Sequence, residues 1–120
     1  MKKLSIIIPC YNESRNLPVL LSKCREVFSI EKDIEFILVD NGSTDESSNI
    51  LSSAVSDFSF IKIVSVKINK GYGHGILAGL AAAKGEIIGW THADLQTDPI
   101  DLLRGLDLFH KSSNPEFLFI

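Results

Sequence analysis

Four short polar segments carry most of the chemistry this chain has to offer. Each follows an apolar run: Pro9-Cys10-Tyr11-Asn12-Glu13, Asp40-Asn41-Gly42-Ser43-Thr44-Asp45, Asn69-Lys70-Gly71-Tyr72-Gly73-His74-Gly75 and Thr91-His92-Ala93-Asp94-Leu95-Gln96. Asp40, at the end of such a run, has the carboxylate needed to accept hydrogen bonds from a ribose hydroxyl or a base N–H. His92, Asp94 and Gln96 are spaced i, i+2, i+4, so in extended backbone they project to one side and offer nitrogen and oxygen donors together. Three ligands of mixed type leave positions open on a divalent ion for diphosphate oxygens, and the ion would neutralise a departing diphosphate. Each segment also has a plain structural reading. Asn41-Gly42 is a turn signal, Ser43 to Glu46 has the spacing of a capping box, and the His92 segment can be a surface loop leading to a helix start at Asp98-Pro99.

Gly73-His74-Gly75-Ile76-Leu77-Ala78 fits the G-x-G-x-x-A form of a dinucleotide fingerprint, with Asp94 at about the right distance. Against it, the glycines are separated from the preceding apolar run, and the first strand-to-helix turn, where the fingerprint belongs, reads Pro9 to Glu13. The glycines are read instead as permitting close backbone approach, with the helix start favouring anions. No G-x-S-x-G elbow or phosphate-binding G-x-x-x-x-G-K-[ST] loop is present. Cys10 and Cys24 lack the paired spacing of a zinc or redox motif and are expected to be buried free thiols.

The elements that must position these loops follow from periodicity. Leu4–Cys10, Phe36–Val39, Ile61–Ile68, Glu86–Trp90 and Phe117–Ile120 are too short and too apolar for helices and predict five strands. Between them, Leu17, Leu21, Cys24 and Phe28 form one helical face, with Ser14 or Asn16 as cap; Ile50, Leu51, Ala54, Val55 and Phe58 form a second. A third helix is predicted from about Gly75 through Ala83, with Ile76, Leu77 and Leu80 favouring it and Gly85 closing it in the left-handed conformation. A fourth starts at Pro99, capped by Asp98, with Leu102, Leu103, Leu106 and Phe109 inward. Alternation of strand and helix requires crossovers and hence a mostly parallel α/β sheet of Rossmann-like form.

A 120-residue chain with 45% hydrophobic and 22% charged residues fits one globular domain, which sets aside collagenous and disordered classes. The formal net charge of −3 lacks the basic footprint of a duplex nucleic-acid binder, so no nucleic-acid partner is expected. No apolar stretch approaches the roughly 20 residues of a membrane span, and the short run after Met1-Lys2-Lys3 does not make a signal peptide. The last residues, Phe117 to Ile120, end inside an apolar run, which reads as the first part of a longer native chain.

Together the four segments resemble the donor-binding half of GT-A glycosyltransferases of family 2, over nearly the whole chain, residues 1–120. Ser5 to Glu13 resembles the family's opening strand with its P-x-Y-N-E segment, and Val39 to Asp45 resembles V-D-D-G-S-T-D. Asn69 to Gly73 with Ala81 to Gly85 resembles N-x-G-x-G followed by A-x-G; Ala93 to Gln96 with Pro99 resembles the D-A-D-L-Q-x-x-P of dolichyl- and polyprenyl-phosphate sugar transferases. The resemblance implies that Pro9, Tyr11, Glu13 and Asp40 contact the nucleotide of a diphosphate-sugar donor, with Lys70 near it. It further implies that Asp94 and Gln96 help hold Mg2+ or Mn2+ on the diphosphate. His92 stands where the family usually has Asp, and a neutral imidazole there could ligate Mn2+; Asn41 replaces the second Asp of the family's pair. The implied reaction is inverting direct displacement, with a polyprenyl phosphate as one acceptor class. The implied general base, acceptor site and membrane anchor lie beyond Ile120, so residues 1–120 alone are expected to turn over little. The implied setting is cytoplasmic, with the native enzyme at a membrane surface. Two further readings stay open: a nicotinamide-dependent oxidoreductase using Gly73 to Ala78, and a catalytically silent nucleotide-binding module.

Overall fold

Runs of Ile, Leu and Val become strands covered on both faces, and the amphipathic stretches between them return the chain across the sheet. The structure, a computed structural model, describes residues 3–111. In chain order the elements are β1 (Leu4–Cys10), α1 (Leu17–Ile30), β2 (Ile34–Asn41), α2 (Ser47–Asp57), β3 (Ile61–Val66), α3 (Tyr72–Leu80), β4 (Ile87–Trp90) and α4 (Asp101–Lys111). The four strands form one parallel sheet in the order β3-β2-β1-β4. The strand expected at Phe117–Ile120 lies outside the described residues.

Strand periodicity divides the core in two. Leu4, Ile6, Ile8 and Cys10 of β1 and Ile34, Phe36 and Leu38 of β2 share one cluster with buried side chains of α1, α2 and α4. Ile7, Ile37 and Val39 face the other way, toward Ala78 of α3 and the alanines that follow it. β1 and β2 are buried along their whole length, as parallel central strands with helices on both faces must be.

α3 lies close on the sheet through its glycines, not its leucines. A Cβ on Gly79 would stand 2.5 Å from Ile7 Cγ2 and Ala78 packs on the same face of the sheet, while Leu77 and Leu80 are exposed. The helix also starts and ends earlier than Gly75 to Ala83. Gly85 is not in the left-handed region; it is required because a Cβ there would meet the Ser5 backbone at 2.6 Å. The capping box fails as well. α2 begins at Ser47, whose amide donates to Asp45 Oδ1, and the Ser43 side chain is used elsewhere. Val55, expected inward, is exposed. At α4, Asp98 Oδ1 accepts from the Ile100 amide and a tight turn through Pro99 precedes the helix, so the cap is as expected while the helix starts two residues later.

At the far end of the sheet from the polar loops, Glu35 is buried and accepts hydrogen bonds from Ser5 Oγ (2.6 Å), the Lys84 amide (2.7 Å) and Lys62 Nζ (2.9 Å). It joins β1, β3 and the α3–β4 connection. Burial alone would raise its pKa, but bonds from Lys62, Ser5 and the Lys84 amide outweigh that, and the net direction is down.

Candidate functional site

The strand order β3-β2-β1-β4 reverses direction at β1, and in an open parallel sheet a crevice forms at such a point beyond the carboxyl ends of the strands. A cleft of about 190 Å³ lies there, lined by Pro9, Tyr11, Glu13, Asn41, Asn69, Tyr72, His92, Ala93 and Asp94. Residues following all four strands therefore meet in one place. Of the site residues expected from the sequence, Pro9, Tyr11, Glu13, His92 and Asp94 line the cleft; Asp40, Lys70 and Gln96 do not.

Asp40 is drawn away by strand parity. Residues 34, 36 and 38 of β2 face α1 and α2, so residue 40 faces α2 too. There its Oδ1 accepts from the Ser43 amide (3.1 Å) and its Oδ2 from the Ser48 hydroxyl, and the side chain is buried. Residue 41 takes the opposite face, with Ile37 and Val39, and enters the cleft beneath α3. Asn41 is 3% exposed; its Nδ2 donates to the Gly71 carbonyl (3.2 Å), which fixes the amide orientation. Its Oδ1 is buried with no hydrogen-bond partner among the described residues. Gly75 permits this arrangement, because a Cβ there would stand 2.9 Å from Asn41 Nδ2. Gly73 and Gly75 lie inside α3, not at a strand-to-helix turn, so the dinucleotide fingerprint lacks its structural context.

The loops after β1 and β2 are clasped together. Asn12, at φ +51°, accepts at Oδ1 from the amides of Thr44 (2.8 Å) and Asp45 (3.3 Å), and its own amide donates to Ser43 Oγ (3.1 Å). The Glu13 amide donates to Ser47 Oγ (3.0 Å) and the Ser14 amide to Asp45 Oδ2 (3.3 Å). Bonds from Ser47 and Ser14 hold the Asp45 carboxyl down to about 2. The clasp sets Tyr11 and Glu13 as one wall of the cleft. Gly42, at φ +75°, completes the cluster: a Cβ would lie 2.5 Å from the Asn69 amide nitrogen of the loop after β3.

The opposite wall is aromatic. The rings of Tyr72 and His92 stack with centroids 4.8 Å apart and planes 16° from parallel. Burial and the nearby charge of Asp94 push the Tyr72 hydroxyl up from its ordinary pKa, so it stays protonated at neutral pH. The backbone from His92 to Gln96 is not extended: Leu95 sits at φ +65° and the Gln96 amide folds back on Asp94 Oδ1 at 3.1 Å. The one-sided i, i+2, i+4 projection of His92, Asp94 and Gln96 therefore does not form, and Gln96 is exposed away from the cleft. Among the described residues no three His, Cys, Asp or Glu side chains are grouped to hold a metal ion. The carboxylates that line the cleft are those of Glu13 and Asp94, which fit a hard divalent cation sharing its other positions with a ligand's oxygens rather than one held by the protein alone.

Cys10 and Cys24 are buried and free, as expected. Burial pushes the Cys24 thiol up to about 12, and burial with the charges of Glu13 and Asp40 pushes Cys10 up as well, so neither supplies a nucleophile. Asn12, Asn69 and Tyr72 join or support the site without having been picked out individually from the sequence, and Asn41, noted there only as a departure from the family's acidic pair, lines the cleft itself. Parity was the available signal for Asn41: once β2 alternates, Asp40 and its neighbour must face opposite ways.

Residues 5–114 match the glycosyl transferase family 2 profile. An undecaprenyl-phosphate 4-deoxy-4-formamido-L-arabinose transferase of Pectobacterium carotovorum is 40% identical over 110 residues, covering 87% of this chain and 32% of the relative. The Pseudomonas fluorescens protein of the same name is 38% identical over 107 residues, covering 84% of this chain and 30% of its own. The chain thus spans about a third of the length of these curated relatives. Among solved structures, the mannosyltransferase PcManGT of Pyrobaculum calidifontis in complex with GDP-Man and Mn2+ superposes with TM-score 0.70 at 26% identity, covering 77% of this chain and 27% of that one. S. aureus TarS 1-349 in complex with UDP-GlcNAc superposes with TM-score 0.71 at 24% identity, covering 90% and 32%, and supports the GT-A fold. Among the described residues no helix is long and apolar enough to cross a membrane. With the profile matched over nearly its whole length and the GT-A sheet in place, the chain belongs to glycosyl transferase family 2.

Proposed function

We propose that this chain is the donor-binding part of a glycosyltransferase that moves a sugar from a nucleoside diphosphate to a polyprenyl phosphate. The observation that carries the reading is the cleft at the sheet's reversal point, walled by residues at or just after the carboxyl ends of all four strands. The names of the curated relatives support the acceptor class, and the ligands in the names of the structural neighbours support the donor class.

Within the cleft, Pro9 and Tyr11 offer the apolar and aromatic surface on which a base packs, and the buried Asn41 Oδ1 accepts a hydrogen bond from a ring N–H. Tyr72, His92 and Asp94 border the diphosphate. A divalent cation there, held on the protein side by Asp94, would offset the charge of the leaving group. The reaction is displacement at the anomeric carbon: an oxygen of the acceptor phosphate forms the new C–O bond as the bond to the donor's diphosphate breaks, and the electron pair leaves on that diphosphate. A phosphate acceptor is already anionic at neutral pH, so the step needs no strong base from these residues. The native enzyme works at a membrane surface in this reading, because its acceptor is a lipid.

Thermal unfolding with UDP, GDP and CDP, each with and without Mn2+, tests the donor site directly. A rise in melting temperature with at least one nucleotide, removed by Asp94→Asn in the presence of Mn2+, is the expected result. Absence of any shift with all three would refute donor binding. Incubating the native enzyme with the matching nucleotide sugar and undecaprenyl phosphate, and reading the anomeric configuration of the product by NMR, tests the acceptor and the inversion.

A further inference from the structure

We infer that Tyr72 is a catalytic residue of this cleft, its hydroxyl donating a hydrogen bond to the sugar-bearing phosphate of the donor, a bond that tightens as the diphosphate departs. This rests on the donor reading above and adds to it the side chain that meets the leaving group. Among the described residues lining the cleft, Glu13 and Asp94 bring negative charge and no Lys or Arg brings positive charge. A diphosphate in that setting needs neutral donors. Asn41 commits its amide to the Gly71 carbonyl at 3.2 Å, and Lys70 lies off the cleft. Of the two hydroxyls that line it, Tyr11 stands on the wall with Pro9 and Glu13, where the base packs, and Tyr72 stands on the wall of His92 and Asp94.

Tyr72 is also held in place for the task. It is the first residue of α3, directly after Gly71 at φ +106°, so the helix start sets its backbone. Its ring lies face to face on His92, 4.8 Å between centroids and 16° from parallel, which ties the start of α3 to the end of β4 and limits where the hydroxyl can swing. The hydroxyl is bonded to no described residue, and at 38% exposure the side chain is open to a ligand. Burial and the charge of Asp94 keep it protonated at neutral pH, so it acts there only as a neutral donor. The step it serves needs no proton from it. The acceptor oxygen bonds to the anomeric carbon, the bond from that carbon to the diphosphate oxygen breaks, and the electron pair of that bond stays on the diphosphate. Negative charge on the diphosphate rises during the step, so a donor already in place stabilises the transition state more than the bound donor.

Tyr72→Phe separates this role from a structural one, because it keeps the ring and its stack and removes one oxygen. Whichever of UDP, GDP and CDP raises the melting temperature of the wild type is titrated calorimetrically, alongside its monophosphate, into the wild type and Tyr72→Phe at one fixed Mn2+ concentration. The diphosphate should bind the variant about 5- to 30-fold more weakly, while the monophosphate should change by less than about twofold. In the native enzyme, kcat for transfer from the matching nucleotide sugar to undecaprenyl phosphate should fall about tenfold or more in Tyr72→Phe, with KM for the nucleotide sugar within about threefold. An unchanged diphosphate affinity, an equal loss for both nucleotides, or an unchanged kcat would overturn the inference and leave the donor reading standing. If none of the three diphosphates binds the wild type, the donor reading falls and this inference falls with it.

Discussion

If the cleft binds the donor nucleotide as proposed, Asn41 should set a measurable preference among nucleobases. Its side chain is 3% exposed, its Nδ2 is committed to the Gly71 carbonyl at 3.2 Å, and its Oδ1 has no partner among the described residues. A buried acceptor left unsatisfied costs about 1–3 kcal/mol, so a ligand that donates to it recovers that amount and one that presents another acceptor does not. Uracil carries a ring N–H where cytosine carries a ring acceptor. UDP should therefore bind about 5- to 150-fold more tightly than CDP. Asn41→Ala removes the acceptor, so UDP should weaken toward CDP and the ratio should collapse to near one. Asn41→Asp keeps an acceptor and should retain most of the preference. Calorimetric titration of UDP and CDP into all three proteins, at one fixed Mn2+ concentration, reads the effect, and unliganded melting curves check that each variant is folded. Equal affinities in the wild type, or an unchanged ratio in Asn41→Ala, would refute the reasoning.

Three further outcomes follow from the packing. Glu35 is ionised in a buried network with its pKa below the ordinary 4.5, so its contribution to stability is fully present above about pH 5 and is lost as pH falls through the folded value. Urea unfolding of the wild type should thus lose more stability between about pH 5 and pH 3 than that of Glu35→Gln, and parallel profiles would contradict the assignment. Gly79→Ala gains about 1 kcal/mol of helix propensity. Its Cβ would meet Ile7 Cγ2 at 2.5 Å and Val39 Cγ2 at 3.0 Å, an overpacking cost of about 1–3 kcal/mol, so urea unfolding should show net destabilisation. Asn12→Gly keeps the left-handed backbone but cuts the side-chain bonds to Thr44 and Asp45; nucleotide affinity should drop by about 2- to 10-fold, read by titration, through looser placement of Tyr11 and Glu13.

The architecture was legible because its signals are redundant. Ile6-Ile7-Ile8 and Phe36 to Val39 admit little besides buried strands, and alternation with helical stretches then leaves a parallel sheet as the economical solution. The misplaced details share one cause. Leu77 and Leu80 favour the helix by type, but α3 sits so near the sheet that Gly75, Ala78 and Gly79 lie beneath it and the leucines face outward. Gly85 looked like a helix terminator and is instead a contact with β1. Distance between layers is a tertiary quantity, and helical periodicity carries no measure of it.

The site was legible to the level of the loop and not of the side chain. Pro9, Tyr11, Glu13, His92 and Asp94 do meet, because the carboxyl ends of parallel strands leave their loops no other place to go. Which residue of a loop enters the cleft depends on strand parity and on turn geometry. Parity sends Asp40 to the start of α2 and its neighbour under α3; the left-handed Leu95 separates Gln96 from His92 and Asp94. The carboxylate that looked most like a ligand-reading group thus braces the β2–α2 turn through Ser43 and Ser48, and the uncharged residue beside it carries the unsatisfied acceptor. A cleft read by a neutral amide holds its preference across pH, whereas one read by a carboxylate would lose it on protonation. The UDP to CDP ratio of the wild type should therefore stay flat between about pH 5 and pH 8, and Asn41→Asp should show a fall toward the acid end of that range as its carboxyl protonates.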